Sequence, residues 1–353
     1  MALSKIQTSE MLDTPNLGRR NLVINGAMQV TQRGPDINDI ANDSTYIMDR
    51  FLTRNYGGNG TYDYDQSTDV PTATFKNSIK LTCKSASTNT GTAGYSLEQR
   101  IEGFNIRQLR LGRSNAQPFT ISFWVKSSIA GTYSTGVRTT SAEYSYVTEF
   151  ALSANTWTYV TYTAPALTTS LSSLNEDSGG AGLLVDLVGL GKQTNKETST
   201  LNAWQAGNKV NSSNQVAWMD NVNATLYVTG VQLEAGDTAT DFEHRSFGEE
   251  LTACQRYFEK LGRGGGYAAD RAYNHSNRLV NLPTWATTKR VDPTVTIYAN
   301  DGTASAMSGY SSGTNNSVTS LSDPNQYSLG RFITLANGIT QPHIGYFHVD
   351  AEL

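Results

Sequence analysis

The sequence predicts an all-β protein, in which an antiparallel jelly-roll β-sandwich is followed by one helix and a smaller C-terminal β domain. Polar and apolar residues alternate with period two in short segments such as residues 119–125 (FTISFWV) and 157–162 (WTYVTY), which is typical of half-buried strands. Turn-forming clusters separate these segments, and no strand–helix–strand rhythm indicates a parallel sheet. Trp124 and Trp157 lie inside these segments and are expected to be core residues.

The composition favours the same class. Of 353 residues only 16% are charged, against about 25% in a typical soluble domain. Thr, Ser, Asn and Gly replace the missing charge, and the 18 Tyr add to a mixture that suits strands and turns. The balance of 27 Lys+Arg against 31 Asp+Glu gives a net charge of −4, so we expect no nucleic-acid partner.

The other strand candidates follow the same pattern. They are residues 22–24, 46–52, 75–81, 144–150, 183–190 and 224–233, with 294–298, 331–335 and 343–349 near the C-terminus. The polar excursion at residues 192–215 is predicted to be an exposed loop. The sequence thus predicts four parts: an N-terminal docking arm (1–20), the jelly-roll sandwich (21–245), a linking helix (246–262) and a C-terminal β domain (263–353).

The linking helix has both a start and a stop signal. Ser246 and Glu249 have the spacing of a capping box, and Gly262 is placed to end the helix, which predicts a helix over residues 246–261. Four apolar residues follow at helical spacing on one face: Leu251, Cys254, Phe258 and Leu261. This stripe either forms an oligomer interface, in which three copies meet around the axis of a homotrimer, or packs on the sandwich of its own subunit.

Three patterns resemble catalytic or metal-binding motifs, but none has the context that its chemistry needs. Residues 309–313 (GYSSG) match G-x-S-x-G, but loop-type sequence flanks Ser311 where a nucleophile elbow needs a strand and a helix. Residues 189–192 (GLGK) lack the remaining residues of a phosphate loop. Neither the acidic cluster at residues 63–69 nor the pair His343 and His348 has metal-ligand spacing. We therefore expect no catalytic residue, no metal and no cofactor.

Cysteine content and hydropathy indicate the compartment in which the protein is expected to fold. Cys83 and Cys254 are too few for a disulfide-rich scaffold and are expected to be buried free thiols. No apolar run reaches the roughly 18 residues that span a bilayer, and the first ten residues lack the apolar core of a signal peptide. We expect assembly in a cytoplasm and no membrane insertion.

Aromatic residues in polar loops are the candidates for binding sugars. Trp204 lies in the excursion at residues 192–215, and Tyr62 and Tyr64 lie in a Gly-flanked segment interpreted as a loop. Loops on a rigid scaffold commonly carry binding residues, so these three are predicted to contact a glycan. The alternative is that each ring packs locally or in a subunit interface, where aromatic residues are also enriched.

Two stretches resemble a known family. Residues 18–34 (GRRNLVINGAMQVTQRG), followed by 46–51 (YIMDRF), resemble the opening of phage tail-fibre and virion appendage proteins. Residues 228–257, which contain VQLE, FEHRS and CQRY, resemble the sandwich exit and helix of the same family, and 293–298 (PTVTIY) with the terminus DAEL match its C-terminal module. The resemblance implies a jelly-roll domain like carbohydrate-binding modules, mounted on a virion and without catalysis.

The expected function is therefore that of a structural or adhesion protein of a bacteriophage virion. It would be a tail-fibre subunit that docks to other tail proteins through residues 1–20, forms a homotrimer and contributes to the binding of a host-surface glycan. Two alternatives remain: an architectural tail or capsid decoration protein without a ligand, and a polysaccharide depolymerase, which would need two carboxylates at glycosidase distances or a parallel β-helix.

Overall fold

The computed structural model describes residues 19–41, 43–88, 94–174, 179–262, 267–271, 278–280, 282–330, 333–337, 341 and 343–353. The chain divides into two compact units, Met1–Arg245 and Ser246–Leu353. Residues 1–18 of the predicted docking arm lie outside the described residues. The segment 246–262, predicted as a separate linker, belongs to the C-terminal unit.

The N-terminal unit is an antiparallel jelly-roll sandwich, as predicted. Its strands are β1 (Asp36–Ile40), β2 (Thr45–Met48), β3 (Phe51–Tyr56), β4 (Thr61–Ser67), β5 (Ser78–Ser85), β6 (Gly94–Glu102), β7 (Phe119–Ser127), β8 (Gly131–Thr139), β9 (Tyr144–Leu152), β10 (Thr158–Ala164), β11 (Ala181–Gly189), β12 (Glu197–Thr198), β13 (Trp204–Ala206), β14 (Asn211–Ser212) and β15 (Thr225–Ala235). Sheet A has the order β1-β4-β5-β15-β7-β10, and sheet B has the order β13-β9-β8-β11-β6-β3-β2. A short helix, α1 (Gly103–Ile106), follows β6, and the chain passes repeatedly from one sheet to the other.

Apolar side chains at every second position of the strands point inward and form the core between the two sheets. In β7, every second residue is fully buried: Phe119, Ile121, Phe123 and Val125. These side chains belong to one cluster with residues of sheet B, such as Leu97 and Val185. Burial of each large apolar side chain contributes about 1.5–3 kcal/mol, so this cluster is the main source of stability for the unit.

Residues 19–30, at the start of the N-terminal unit, run beside β15, the last strand of that unit. The amide of Leu22 donates to the Leu233 carbonyl at 2.8 Å, and the amide of Val231 donates to the Gly26 carbonyl at 2.9 Å. A Cβ atom on Gly26 would lie 2.1 Å from the Val231 oxygen, so this close approach needs glycine. The two stretches that resemble the appendage family are therefore neighbours in space.

Tyr62 and Tyr64 lie in strand β4 rather than in a loop, so the predicted loop is wrong. Tyr62 is 1% exposed and Tyr64 is 0% exposed, and both belong to the core cluster. The physical reason is the alternation of Tyr with Asp63 and Asp65, which is the period of a half-buried strand. Buried rings offer no face to a ligand, which also corrects their prediction as glycan contacts.

The excursion at residues 192–215 is a folded cap rather than an exposed loop. It contains β12 and β14, which pair in parallel, and β13, which pairs with β9 at the edge of sheet B. Within it, the Trp204 ring packs against Phe119 and Tyr146 at centroid distances of 6.3 and 5.7 Å. The cap covers part of the outer face of sheet B.

The C-terminal unit contains one helix and eight strands among its described residues. These are α2 (Phe247–Gln255), β16 (Phe258–Leu261), β17 (Tyr267–Arg271), β18 (Arg278–Val280), β19 (Thr294–Tyr298), β20 (Ala306–Gly309), β21 (Asn315–Leu321), β22 (Ile333–Leu335) and β23 (His343–Asp350). The long strand β23 pairs with β16, β17, β19 and β20. Its core includes Ile297, Met307, Ile333 and Phe347.

The predicted start of the helix is confirmed, but its predicted end is wrong. Ser246 Oγ accepts from the Glu249 amide at 3.3 Å, and the Glu249 carboxylate accepts from the Ser246 amide at 3.0 Å. The helix ends at Gln255, and residues 258–261 form β16. Antiparallel pairing with β23 overrides the helical spacing, since every residue of β16 has a partner there.

The predicted interface stripe is therefore not a helical face. Leu251 and Cys254 lie on α2, whereas Phe258 and Leu261 lie on β16. Cys254 and Phe258 are buried within the unit, and Leu261 packs against its core. Cys83 and Cys254 are both buried and free, as predicted.

Candidate functional site

A cleft of about 610 Å³ opens on the outer face of sheet A. It is lined by residues of β7, β10 and β15, of the loop before β5, and of the segment that follows β15: Thr72, Thr74, Phe75, Ser122, Trp124, Tyr159, Gly230, Ala239, Thr240, Asp241, Phe242 and His244. All of them belong to the N-terminal unit. The volume lies in the range of about 300–1,000 Å³ that is usual for small-molecule sites.

Trp124 and Tyr159 form one aromatic wall of the cleft. They are direct partners across β7 and β10, with ring centroids 5.1 Å apart, and Tyr159 is 43% exposed. Trp124 was predicted to be a core residue, and this is wrong because it shares its strand parity with Ser122 and not with Phe123. Strict alternation along FTISFWV was the signal in the sequence that could have placed Trp124 on the outside.

Three rings form the opposite wall. Phe75, Phe242 and His244 contact one another at centroid distances of 5.2 Å (Phe75 to Phe242), 5.4 Å (Phe75 to His244) and 4.8 Å (Phe242 to His244). Phe75 is buried, whereas His244 is exposed. Two of these contacts, Phe75 to Phe242 and Phe242 to His244, are edge-to-face, an arrangement that aromatic pairs favour. Sequence reasoning did not assign these residues to a site, because Phe75 and Phe242 lie 167 positions apart in the sequence (242 − 75).

Gly230 opens the floor between the two walls. It sits at an irregularity of β15, where the register to β7 shifts between Thr229 and Gln232, and its φ of 64° lies in the left-handed region. A Cβ atom here would lie 2.8 Å from Phe75 Cζ and 3.2 Å from Trp124 Cδ1. Glycine is therefore needed here for two reasons: the backbone is left-handed, and a side chain would fill the space between the two walls.

The segment at residues 238–245, which we call the strap, is pinned over sheet A by buried polar groups of β15. The Glu234 carboxylate accepts from the Thr240 amide at 2.9 Å and from its hydroxyl at 2.6 Å. The Gln232 side chain accepts from the Glu243 amide at 2.8 Å. Gln232 and Glu234 are both buried, so these bonds are shielded from water and hold the strap in place.

The far end of the strap is tied to the N-terminal segment. The Glu243 carboxylate accepts from the amides of Arg20 at 3.1 Å and Asn21 at 2.9 Å, and it pairs with Arg245 at 3.1 Å. Partial burial acts to raise the pKa of Glu243, but these bonds outweigh it and lower the pKa below its usual value. Glu243 and Arg245 thus form an ion pair at the exit of the sandwich.

The polar groups of the cleft are mostly hydroxyls. Ser122 lies on the floor, Thr72, Thr74 and Thr240 line it, and Asp241 contributes a carboxylate. Aromatic faces combined with hydroxyls and one carboxylate can bind a ligand that presents both C–H faces and hydroxyl groups.

A second aromatic group lies on the same face of sheet A, but it is internally satisfied. Lys126 lies over the rings of Tyr227 and Trp157, at 4.3 and 5.2 Å. Asp69 pairs with Lys126 and accepts from the Trp157 indole at 3.0 Å. Partial burial acts to raise the pKa of Asp69, but Lys126 and Trp157 lower it overall. Trp157, predicted as core, is thus partly exposed on the outer face.

The outer face of sheet B is built differently. Arg138 donates to both oxygens of Asp186 at 2.7 Å and to Glu98 at 2.8 Å, and all three are buried. Burial acts to lower the pKa of Arg138, but the two carboxylates raise it, so the guanidinium stays charged. Above this network, Lys196 of the cap lies 3.7 Å from the Tyr56 ring centroid. The enclosed space beneath the cap is about 10 Å³, too small for a sugar.

The remaining predicted positions lie away from the cleft. Trp204 is half-buried, and its indole donates to the Pro165 carbonyl at 2.7 Å, which holds the cap. Ser311 lies in the turn between β20 and β21, with no helix after it. Among the residues that the structure describes, no group of three His, Cys, Asp or Glu side chains could hold a metal, and no helix is long and apolar enough to cross a membrane.

Comparison with known proteins gives only distant structural similarities. No protein-family model matches the chain, and no curated protein does. The tailspike protein 4 enzymatically active domain of bacteriophage CBA120 is 14% identical over 61% of this chain and 21% of its own, with a TM-score of 0.29. A putative sugar-binding protein from Bacteroides thetaiotaomicron is 14% identical, and the match covers 61% of this chain and 100% of that protein with a TM-score of 0.32. A CBM4 structure is 16% identical, and the match covers 60% of this chain and 97% of that structure with a TM-score of 0.30.

Proposed function

We propose that the N-terminal jelly roll binds a glycan through the cleft on sheet A. The observation that carries this proposal is the open space between two aromatic walls, Trp124 with Tyr159 and Phe75 with Phe242, lined by hydroxyls and one carboxylate. The faces of pyranose rings are apolar and pack against aromatic rings, while their hydroxyl groups need polar partners. A preformed cleft lowers the ordering cost of binding.

We further propose that the protein serves a virion appendage as an adhesion subunit. The support for this is the sequence resemblance of residues 18–34, 46–51 and 228–257 to phage tail-fibre and appendage proteins. An open cleft gives modest affinity for each copy, and several copies on one particle, as in a homotrimer docked through residues 1–20, would raise the avidity.

Binding without catalysis is the proposed mode. Glycosidases usually hold two carboxyl groups about 5–10 Å apart across the scissile bond. Asp241 is the one carboxylate among the residues that line the cleft, which supports a binding role and disfavours a depolymerase.

The test is a glycan array with the full chain, followed by titration of a bound glycan. We expect Trp124→Ala to weaken binding at least tenfold, and Tyr159→Ala several-fold, because central aromatic residues dominate such sites. Matched controls are Tyr310→Ala and Tyr327→Ala, since these tyrosines of the C-terminal unit are both 67% exposed and lie outside the cleft. Absence of any bound glycan would favour the architectural alternative, and cleavage of a bound polysaccharide would favour the depolymerase.

A further inference from the structure

The charge of the cleft indicates which glycans it can take. Asp241 and His244 are its two titratable side chains apart from the Tyr159 hydroxyl. No lysine or arginine of the described chain lines the cleft. A site for uronic or sialic acids gains most from a cation beside the sugar carboxylate, because a buried carboxylate without a charged partner is costly.

Two cations beside the cleft, Lys126 and Arg20, pair with carboxylates of the protein. Lys126 is held by Asp69 beside the second aromatic group. The Arg20 guanidinium lies 3.6 Å from Glu234, and it donates to the Asp241 backbone carbonyl at 2.5 Å. Both cations thus already have a carboxylate of the protein within ion-pair distance. Lys76 follows Phe75 in the sequence and is exposed, but it does not line the cleft.

The carboxylate of Asp241 favours sugar hydroxyl groups over sugar carboxylates. Asp241 is exposed and lines the cleft, so its carboxylate can accept hydrogen bonds from sugar hydroxyls. Hydrogen bonds to an ionised acceptor are roughly twice as strong as those between neutral groups. A sugar carboxylate at the same place would be repelled, and the partly apolar walls would strengthen the repulsion.

We propose that the cleft selects neutral glycans, made of hexoses or N-acetylhexosamines, over polymers of uronic or sialic acid, with Asp241 as the residue that sets this preference. The inference rests on the proposed function, because it concerns the same cleft. It also predicts that binding changes little with ionic strength, since a neutral ligand has no charge to screen.

The experiment compares neutral and acidic oligosaccharides of matched length by calorimetry at low and high salt. We expect measurable binding of a neutral ligand at both salt concentrations and at least tenfold weaker binding of the acidic ligands. Asp241→Asn should weaken the neutral ligand up to about tenfold, the size expected when one charge-assisted bond becomes a neutral one. Asp241→Lys should improve acidic binding, and Lys76→Ala should leave the preference unchanged.

The outcomes separate this inference from the proposed function. Tighter binding of an acidic glycan that is lost in Trp124→Ala would overturn the neutral preference and leave the cleft as a glycan site. A neutral preference that persists unchanged in both Asp241→Asn and Asp241→Lys would overturn the role of Asp241. Glycan binding that is insensitive to Trp124→Ala would overturn the proposed function itself, and this inference with it.

Discussion

The two outer faces of the jelly roll carry similar types of side chain, but one face is covered and the other is open. Sheet B is covered by the cap and buries a charged network of Arg138, Asp186 and Glu98. Sheet A leaves an open cleft whose walls are aromatic and whose floor is a glycine. Both faces carry aromatic and polar side chains at outward strand positions, so the difference arises from what lies above each sheet.

This difference leads to separate expectations for stability and for the proposed binding. A capped face removes charges from water, so its polar groups must satisfy one another, and each becomes essential to the fold. An uncapped face leaves side chains such as Tyr159 and Asp241 exposed, so they are available to a ligand and contribute little to folding. We therefore expect substitutions on sheet B to change stability, and substitutions at the cleft to change binding.

Arg138→Ala should have the largest effect. It leaves Asp186 and Glu98 buried without their shared cation, and breaking a buried ion pair typically costs about 3–5 kcal/mol. The free energy of unfolding, measured by urea denaturation, should fall by that amount. The matched control is Lys80→Ala on sheet A, which removes the partly exposed pair with Asp65 at 3.2 Å and should cost about 1 kcal/mol or less. Equal costs for the two variants would contradict the proposed contrast between the faces.

Trp204→Ala should come next. The half-buried ring anchors the cap to Phe119 and Tyr146, so its loss should destabilise the unit by about 2 kcal/mol, less than for a fully buried tryptophan. Glycan binding by the folded protein should remain. Trp124→Ala should give the reverse result, with binding lost and stability little changed. If Trp204→Ala abolished binding without unfolding, the original prediction of Trp204 as a glycan contact would be restored.

Gly230→Ala should have a smaller effect on stability. The left-handed backbone costs a residue with a Cβ about 1–2 kcal/mol, and here the new methyl group also approaches Phe75 at 2.8 Å. Gly57→Ala is a close control, because Gly57 has a φ of 65° and open space around its Cβ position. The excess cost of Gly230→Ala over Gly57→Ala, from thermal or urea unfolding, measures the steric part. No excess, together with unchanged binding, would show that the cleft floor tolerates a side chain.

Glu243→Gln should have the smallest effect and should depend on pH. The folded state lowers the pKa of Glu243, so its contribution is present above the unfolded value of about 4.3 and is lost as the pH falls through the folded value. Because 24% of the side chain is exposed, we expect about 1 kcal/mol or less. Urea midpoints at about pH 6.5 and about pH 3 should differ less in Glu243→Gln than in wild type. Asp237→Asn, in an exposed turn, should keep the wild-type difference.

Much of the fold could be predicted because it depends on local alternation. The period-two pattern of residues 119–125 gives β7 and its inward face, and the capping box gives the start of α2. The loop assigned to Tyr62 and Tyr64 was wrong although their alternation with Asp63 and Asp65 was visible. The turn-forming residues 57–60 (GGNG) favour a loop, but they end where β4 begins at Thr61.

The cleft and the end of α2 could not be predicted in the same way. Phe75 and Phe242 meet only because the strap folds back over sheet A on the side chains of Gln232 and Glu234. Helix α2 stops at Gln255 because β23, about ninety residues later, pairs with residues 258–261. Neither partner is identifiable from local sequence, since both contacts join distant segments.

The sequence by itself determined the all-β class and the inward face of β7, because alternation and turn residues act over a few positions. Only the tertiary structure decided which outer face is covered. That outcome depends on where residues 192–215 and the strap fold back, and buried hydrogen bonds between segments far apart in the chain select those positions. The same long-range bonds decide that Trp124 faces a cleft while Arg138 lies beneath a cap.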